Sequence, residues 1–110
     1  MDIFIGPELY KYYQRFPIRL VDVGASGGIK NNWKPAEKFL KIIGFEPCEE
    51  AFNNLLKSQT SKTKYLNIGL YKEKAIVDFY ITKNRGATSI FVPNKTFLNK
   101  FPETENFDVL

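Results

Sequence analysis

Val21-Asp22-Val23-Gly24-Ala25-Ser26-Gly27-Gly28 is the segment of this 110-residue chain that says most about its fold. It closes an apolar run from Ile18 to Val23, which predicts a buried β-strand, and then enters a glycine-rich turn. Glycine adopts positive φ without steric cost and has no Cβ to keep a ligand away from main-chain N–H groups. The stretch therefore predicts an α/β protein that holds a ligand where its first strand ends.

Composition limits the classes of protein that remain. Hydrophobic residues make up 44% and charged residues 25% of the chain, which is typical of a globular domain, and the length allows one small domain over residues 1–110. Histidine is absent, so imidazole is excluded as a catalytic base or metal ligand, and we expect no metal site. No window approaches the ~20 apolar residues of a membrane span, so we expect none.

Cellular location and partners follow from the cysteine and the lysines. Cys48 is the single cysteine and no leader-like apolar run follows Met1, which favours a cytoplasmic protein. The net charge is +4, and lysines cluster over residues 57–74. They could form a nucleic-acid face, but solvated lysines on exposed loops are the favoured interpretation, and we expect no nucleic-acid partner.

The hydrophobic pattern predicts an order of elements. Helices are expected over residues 7–16, 35–40 and 48–57, and strands over residues 18–23, 42–45, 65–71 and 75–82. The alternation of strands and helices predicts a parallel sheet, and the last two strands predict an antiparallel hairpin. A helical turn is expected near Phe97 and Phe101, and the last eight residues are expected to fray.

Two acidic residues indicate what the glycine turn binds. Glu46 closes the second predicted strand, 22 residues after Gly24, and this spacing lets an acid reach the ribose of a nucleoside that lies over the turn. The turn departs from the G-x-G-x-x-G spacing of dinucleotide folds, and Asp22 suits a cationic ligand better than a pyrophosphate. The pattern therefore favours S-adenosylmethionine over a nicotinamide cofactor, which remains a weaker alternative.

Five motifs resemble those of the FkbM-type methyltransferases, and they span about residues 18–101. They are Val21 to Ile29, Trp33, Gly44-Phe45-Glu46-Pro47, Asn67 to Leu70, and Gly86 to Ile90 with Pro93-Asn94. The resemblance implies a partial class I methyltransferase (Rossmann-like) sheet with flanking helices. It also implies methyl transfer from S-adenosylmethionine to a hydroxyl of a small-molecule acceptor, such as a sugar or a related natural product.

The resemblance also implies roles for individual residues. Gly24, Ser26, Gly27 and Gly28, with Ala25 in the same turn, would wrap the methionine part of the cofactor. Asp22 would act near its amino group, directly or through water. Glu46 would accept hydrogen bonds from the ribose, and Pro47 with Cys48 would border the adenine.

The chain departs from that family at its end. Family members continue into further strands, so the resemblance implies the N-terminal, cofactor-binding part of one methyltransferase domain, and no catalytic base can be named. A non-catalytic binding or assembly module is the alternative, because a sheet cut short exposes an edge that favours homo-oligomers.

Overall fold

The computed structural model describes residues 6–110, so the predicted lack of a leader after Met1 lies outside the described residues. The chain divides into two compact units. The first ends at Tyr71, and the second spans Lys72–Leu110. The motifs of the glycine turn and of Glu46 both belong to the first unit.

The first unit is built on a three-stranded parallel sheet. Its strands are β1 (Ile18–Val23), β2 (Leu40–Phe45) and β3 (Thr63–Leu66), in the spatial order β1-β2-β3. Helix α1 (Pro7–Arg15) precedes the sheet, and α2 (Glu49–Leu56) connects β2 to β3. The predicted α/β class, its parallel strands and both flanking helices are confirmed.

The connection between β1 and β2 is tighter than predicted. A 3-10 helix spans Lys34–Phe39 where the pattern predicts an α-helix, and β2 begins at Leu40 instead of Ile42. Pairing with β1 explains the early start, because Leu40 lies opposite Ile18 in the parallel register. The Leu40 side chain is fully buried, with Ala36 and Ile42, in a cluster against which Trp33 packs.

The two faces of the sheet differ in burial. Side chains alternate along β1, and while Leu20 packs into the core, Val21 and Val23 keep 60% and 62% of their surface exposed. Ile43, opposite Val21 on β2, is also exposed. The prediction of a buried first strand is therefore wrong, because the successive side chains of a strand point to opposite faces and, within residues 6–110, only one face is covered.

The predicted hairpin after β3 is wrong. β3 ends at Leu66, and residues 75–79 form no regular strand. The parallel register with β2 begins at Thr63, opposite Ile42, so the strand starts two residues earlier than the hydrophobic pattern predicts. At its other end the Asn67 side-chain amide donates to the Glu46 and Pro47 carbonyls.

The second unit contains short elements joined by isolated bridges. Helix α3 (Lys95–Leu98) confirms the predicted helical turn, and 3-10 helices span Arg85–Ala87 and Thr104–Phe107. Tyr80 pairs with Ser89, and Thr82 pairs with Val109. The predicted fraying of the last eight residues is therefore wrong.

Candidate functional site

The turn after β1, residues 24–28, is called the glycine loop. Gly24, Gly27 and Gly28 all have positive φ, at 73°, 83° and 74°. A Cβ placed on Gly24 or Gly27 would meet no atom within 4 Å. Glycine is needed at these two positions because of the backbone conformation, and the space beside them is open.

One apolar residue of the glycine loop, Ala25, anchors the loop to the rest of the first unit. Ala25 is 0% exposed and packs in a cluster with Leu55 of α2 and Tyr65 of β3. The backbone N–H groups of Gly24 and Ala25 both donate to the Phe45 carbonyl at the end of β2, at 2.9 and 3.0 Å. Ala25 therefore acts as the anchor of the loop and has no surface to offer a ligand, while Ser26 and Gly27 are exposed.

Glu46 ties the end of β2 to the glycine loop. One carboxylate oxygen accepts the Ser26 backbone N–H at 2.9 Å, and the other accepts the Cys48 N–H at 2.9 Å. The side chain is 5% exposed. A buried carboxylate is costly unless it is hydrogen-bonded, and here both oxygens are satisfied by main-chain donors. The structure thus brings Glu46 and the glycine loop together at the carboxyl end of the sheet, as their spacing predicts.

Residues after Glu46 shape the side of the site. Cys48 is half-buried and precedes the first turn of α2, and its thiol is free. Pro47 lies beside Gly69, with 3.7 Å between the Pro47 Cβ and a Cβ built on the glycine. Asn67 binds the Glu46 and Pro47 carbonyls, so the chain after β3 holds this corner in place.

Asp22 lies on the covered face of the sheet, two residues before Gly24. It is half-buried, and within residues 6–110 its carboxylate has no hydrogen-bond or ion-pair partner. In the sheet register Asp22 lies opposite Gly44, and Gly44 lies opposite Tyr65. A carboxylate without a partner beside the glycine loop attracts a cationic group.

Gly44 and Tyr65 support the site, although the sequence pattern assigned them no role. A Cβ on Gly44 would lie 2.6 Å from Tyr65 Cδ1 and 2.9 Å from the Ala25 Cβ. The missing side chain is what lets the Tyr65 ring cross β2 and reach the anchor of the loop. A glycine inside an apolar strand is a sequence signal for such a close approach.

The surroundings of the Tyr65 phenol, which include Asp22, shift its pKa. Burial, with a smaller contribution from the Asp22 carboxylate, raises the pKa of Tyr65 above its usual value. Both causes oppose ionisation, because a phenolate would be poorly solvated and would face a second negative charge. The Asp22 carboxylate therefore lies close enough to the Tyr65 phenol to disfavour a second negative charge there.

The motif residues Thr88 and Ser89 have structural partners. The Thr88 hydroxyl accepts the Thr82 N–H, and the Ser89 hydroxyl accepts the Phe91 N–H. Both side chains are therefore loop hydroxyls with hydrogen-bond partners inside the chain. Within residues 6–110, no three His, Cys, Asp or Glu side chains are grouped in a way that could hold a metal ion.

Comparison with known proteins identified no relative of this chain. No protein-family model, no curated protein and no solved structure matches the chain. Over the described part of the chain, none of the helices has the length and apolar character needed to cross a bilayer.

Proposed function

We propose that the first unit is the cofactor-binding part of an S-adenosylmethionine-dependent methyltransferase. One observation carries the proposal: the buried Glu46 carboxylate accepts a hydrogen bond from Ser26 within the glycine loop. An acid at the end of the second strand and a glycine turn at the end of the first thereby border one site. This arrangement suits a nucleoside whose other substituent lies over the loop.

The charge of the site favours S-adenosylmethionine among adenosine ligands. The cofactor carries an ammonium and a sulfonium, and the Asp22 carboxylate beside the loop has no partner within residues 6–110. Each Glu46 oxygen accepts one N–H and keeps a lone pair for a ribose hydroxyl. A dinucleotide would instead bring its pyrophosphate close to Asp22, where like charges repel.

The loop backbone offers a further contact. The Gly27 N–H has no acceptor within the described residues, and the space beside its Cα is open. A free main-chain donor at a glycine is suited to the carboxylate of the methionine moiety. Pro47 and Cys48, which follow Glu46, would border the adenine.

The methyl acceptor is proposed from the sequence motifs, and the cellular location from the cysteine. We propose a hydroxyl-bearing small molecule, such as a sugar, on the strength of the FkbM-type motifs alone. Methyl transfer depends mainly on aligning the nucleophile with the sulfonium, so we assign no catalytic base. The single free cysteine, Cys48, fits a reducing compartment and supports a cytoplasmic location.

Calorimetric titration with S-adenosylhomocysteine tests the cofactor assignment. We expect saturable binding that weakens about ten-fold or more in Glu46→Gln, because a charged acceptor is lost. The matched control is Glu49→Gln, which removes an equal charge from an exposed position in the first turn of α2. A folded chain that binds NADH in preference, or binds neither compound, would contradict the proposal.

A second candidate function is a non-catalytic assembly module that pairs with a second copy of itself. It is favoured by the exposure of Val21 and Val23, and by the position of β1, which pairs only with β2 within residues 6–110. Exposed apolar side chains next to an open strand edge promote association.

Light scattering on the full chain separates the two candidates. The assembly module predicts a dimer that Val23→Lys dissociates, whereas the control Val77→Lys, at an exposed valine outside the sheet, leaves it intact. A monomer at all concentrations contradicts this second candidate.

A further inference from the structure

The amino end of the sheet, opposite the glycine loop, carries a cleft that we call the amino-end cleft. Its lining includes the aromatic rings of Tyr10, Tyr13 and Phe39 and the side chains of Lys38, Lys41 and Lys62, and its volume is 390 Å³. Pockets that bind small ligands usually span about 300–1,000 Å³. The cleft is therefore large enough for a ligand the size of a mononucleotide.

The cleft lies far from the glycine loop. Its residues come from α1, from the end of the 3-10 helix Lys34–Phe39, from the first residues of β2 and from the turn before β3. The glycine loop and Glu46 follow the last residues of β1 and β2. Because β2 has six residues, the two ends are separated by about 17 Å along the strand. A ligand in the cleft cannot be the ligand of the glycine loop.

The cleft has an aromatic floor. Phe39 is 3% exposed, and its ring centroid lies 5.3 Å from that of Tyr10 and 5.7 Å from that of Tyr13. Tyr10 meets Phe39 edge-on, at an interplanar angle of 79°. These rings come from two separate elements, and together they form a preorganised apolar surface on which a planar ring can stack.

The rim of the cleft is cationic. The Lys38 Nζ lies 4.7 Å from the centroid of Tyr10 and 5.2 Å from that of Phe39. The Lys62 Nζ donates to the Lys38 carbonyl at 2.7 Å, which brings the two lysines together. Within the described residues none of Lys38, Lys41 and Lys62 forms an ion pair, and no Asp or Glu side chain lines the cleft.

From these contacts we infer that the amino-end cleft is a binding site for a small anionic ligand that joins a planar ring to a phosphate, as a nucleotide does. The ring stacks on Tyr10 and Tyr13, and the phosphate is held by the three ammonium groups. Three cations that form no ion pair within the described residues favour a multiply charged anion. The aromatic floor distinguishes such a ligand from a free inorganic ion.

Uridine 5′-monophosphate is a suitable probe, because it lacks the adenine that Pro47 and Cys48 are proposed to border at the carboxyl end of the sheet. We expect saturable binding by calorimetry at low ionic strength and weaker binding at about 0.15 M salt, where exposed charges are screened. In an amide NMR titration, the shifts should concentrate at Lys41 and Lys62 and spare Ser26. Uridine and inorganic phosphate, as the two halves of the probe, should each bind more weakly than the whole.

Two triple variants isolate the role of position from that of net charge. Lys38, Lys41 and Lys62 are changed to Gln in the first, and Lys57, Lys74 and Lys100 are changed to Gln in the second. Both lower the formal net charge from +4 to +1. The first should weaken the binding of uridine monophosphate about ten-fold or more, whereas the second should retain most of the affinity. Thermal unfolding of both variants verifies that they remain folded.

The aromatic floor is tested separately by Tyr10→Leu. Loss of one stacking ring should weaken binding about five-fold or more while leaving the binding of S-adenosylhomocysteine unchanged. Equal losses in the two lysine variants, shifts confined to the glycine loop, or equal affinity for inorganic phosphate and the nucleotide would overturn the inference. Binding of polyuridylate without saturable binding of the mononucleotide would overturn it in favour of a nucleic-acid surface.

Discussion

The two ends of the small parallel sheet are built from different chemistry. At the carboxyl end, main-chain N–H groups of the glycine loop and of Cys48 surround a buried carboxylate, Glu46. At the amino end, the amino-end cleft joins a buried aromatic ring, Phe39, to exposed lysines. Hydrogen bonds hold the carboxyl end together, whereas ring contacts hold the amino end together. The same three strands therefore position two groups of residues of different chemistry, one at each end of the sheet.

Phe39→Ala should cause the largest loss of unfolding free energy, and it acts at the amino end of the sheet. It removes a nearly fully buried ring that contacts Tyr10 and Tyr13, and such truncations cost about 3–5 kcal/mol of unfolding free energy. Denaturant unfolding measures the loss, with the exposed Phe91→Ala as the matched control. Equal midpoints for the two variants would contradict the role of Phe39 as the floor of the cleft.

Gly44→Ala should destabilise the carboxyl end of the sheet, with a somewhat smaller loss of unfolding free energy than Phe39→Ala. The new Cβ would overlap the Tyr65 ring and approach the Ala25 Cβ, and overpacking of this kind costs about 1–3 kcal/mol. The control is Gly69→Ala, where the nearest atom to the added Cβ is 3.7 Å away. Because Ala25 anchors the glycine loop, the variant should also weaken binding of S-adenosylhomocysteine but leave the amino-end cleft unchanged.

Glu46→Gln tests the contribution of a single hydrogen bond at the carboxyl end of the sheet. The amide keeps the shape of the side chain but replaces one acceptor oxygen with a donor, so either Ser26 or Cys48 loses its partner. We expect a loss of about 1–2 kcal/mol in unfolding free energy. Hydrogen exchange should speed up at the Ser26 and Cys48 amides and stay constant at Lys41, and uniform acceleration at all three would argue against a local effect.

Alkaline pH gives the smallest expected effect. The folded state raises the pKa of Tyr65, so the unfolded chain releases this proton first as the pH rises. The associated stability is fully present below the unfolded-state pKa of about 10 and is lost as the pH rises from there through the folded-state pKa. In pH-dependent unfolding, Tyr65→Phe should remove part of the alkaline loss, and Tyr12→Phe, at an exposed position, should leave it intact.

The local sequence pattern correctly predicts those elements whose formation depends on a short stretch of chain. The apolar run of β1, the 3.6-residue periodicity of α1 and the acid-rich start of α2 each lie in a short stretch of chain, and each prediction agrees with the structure within one or two residues. The meeting of Glu46 with the glycine loop was also predictable. In a parallel sheet, the ends of neighbouring strands lie at the same edge.

Predictions that depended on a pairing partner were less successful. The run from Tyr65 to Tyr71 is as apolar as a strand, yet only its first two residues belong to β3, because β2 determines where the pairing begins. Ile76 and Val77, predicted in a hairpin strand, are exposed and outside regular structure. A period-2 pattern shows that a segment is able to pair, but it does not identify the partner.

The parallel α/β class, the glycine loop with its positive φ angles and the acid that closes the second strand could all be predicted from the sequence, because each depends on neighbouring residues or on one strand-to-strand spacing. Only the tertiary structure decided that Gly44 makes room for Tyr65 beneath the loop, and that Lys38, Lys41 and Lys62 surround the rings of the amino-end cleft. These contacts join residues that are distant in the chain. They exist because packing of separate elements, and not local conformation, brings their side chains to the same place.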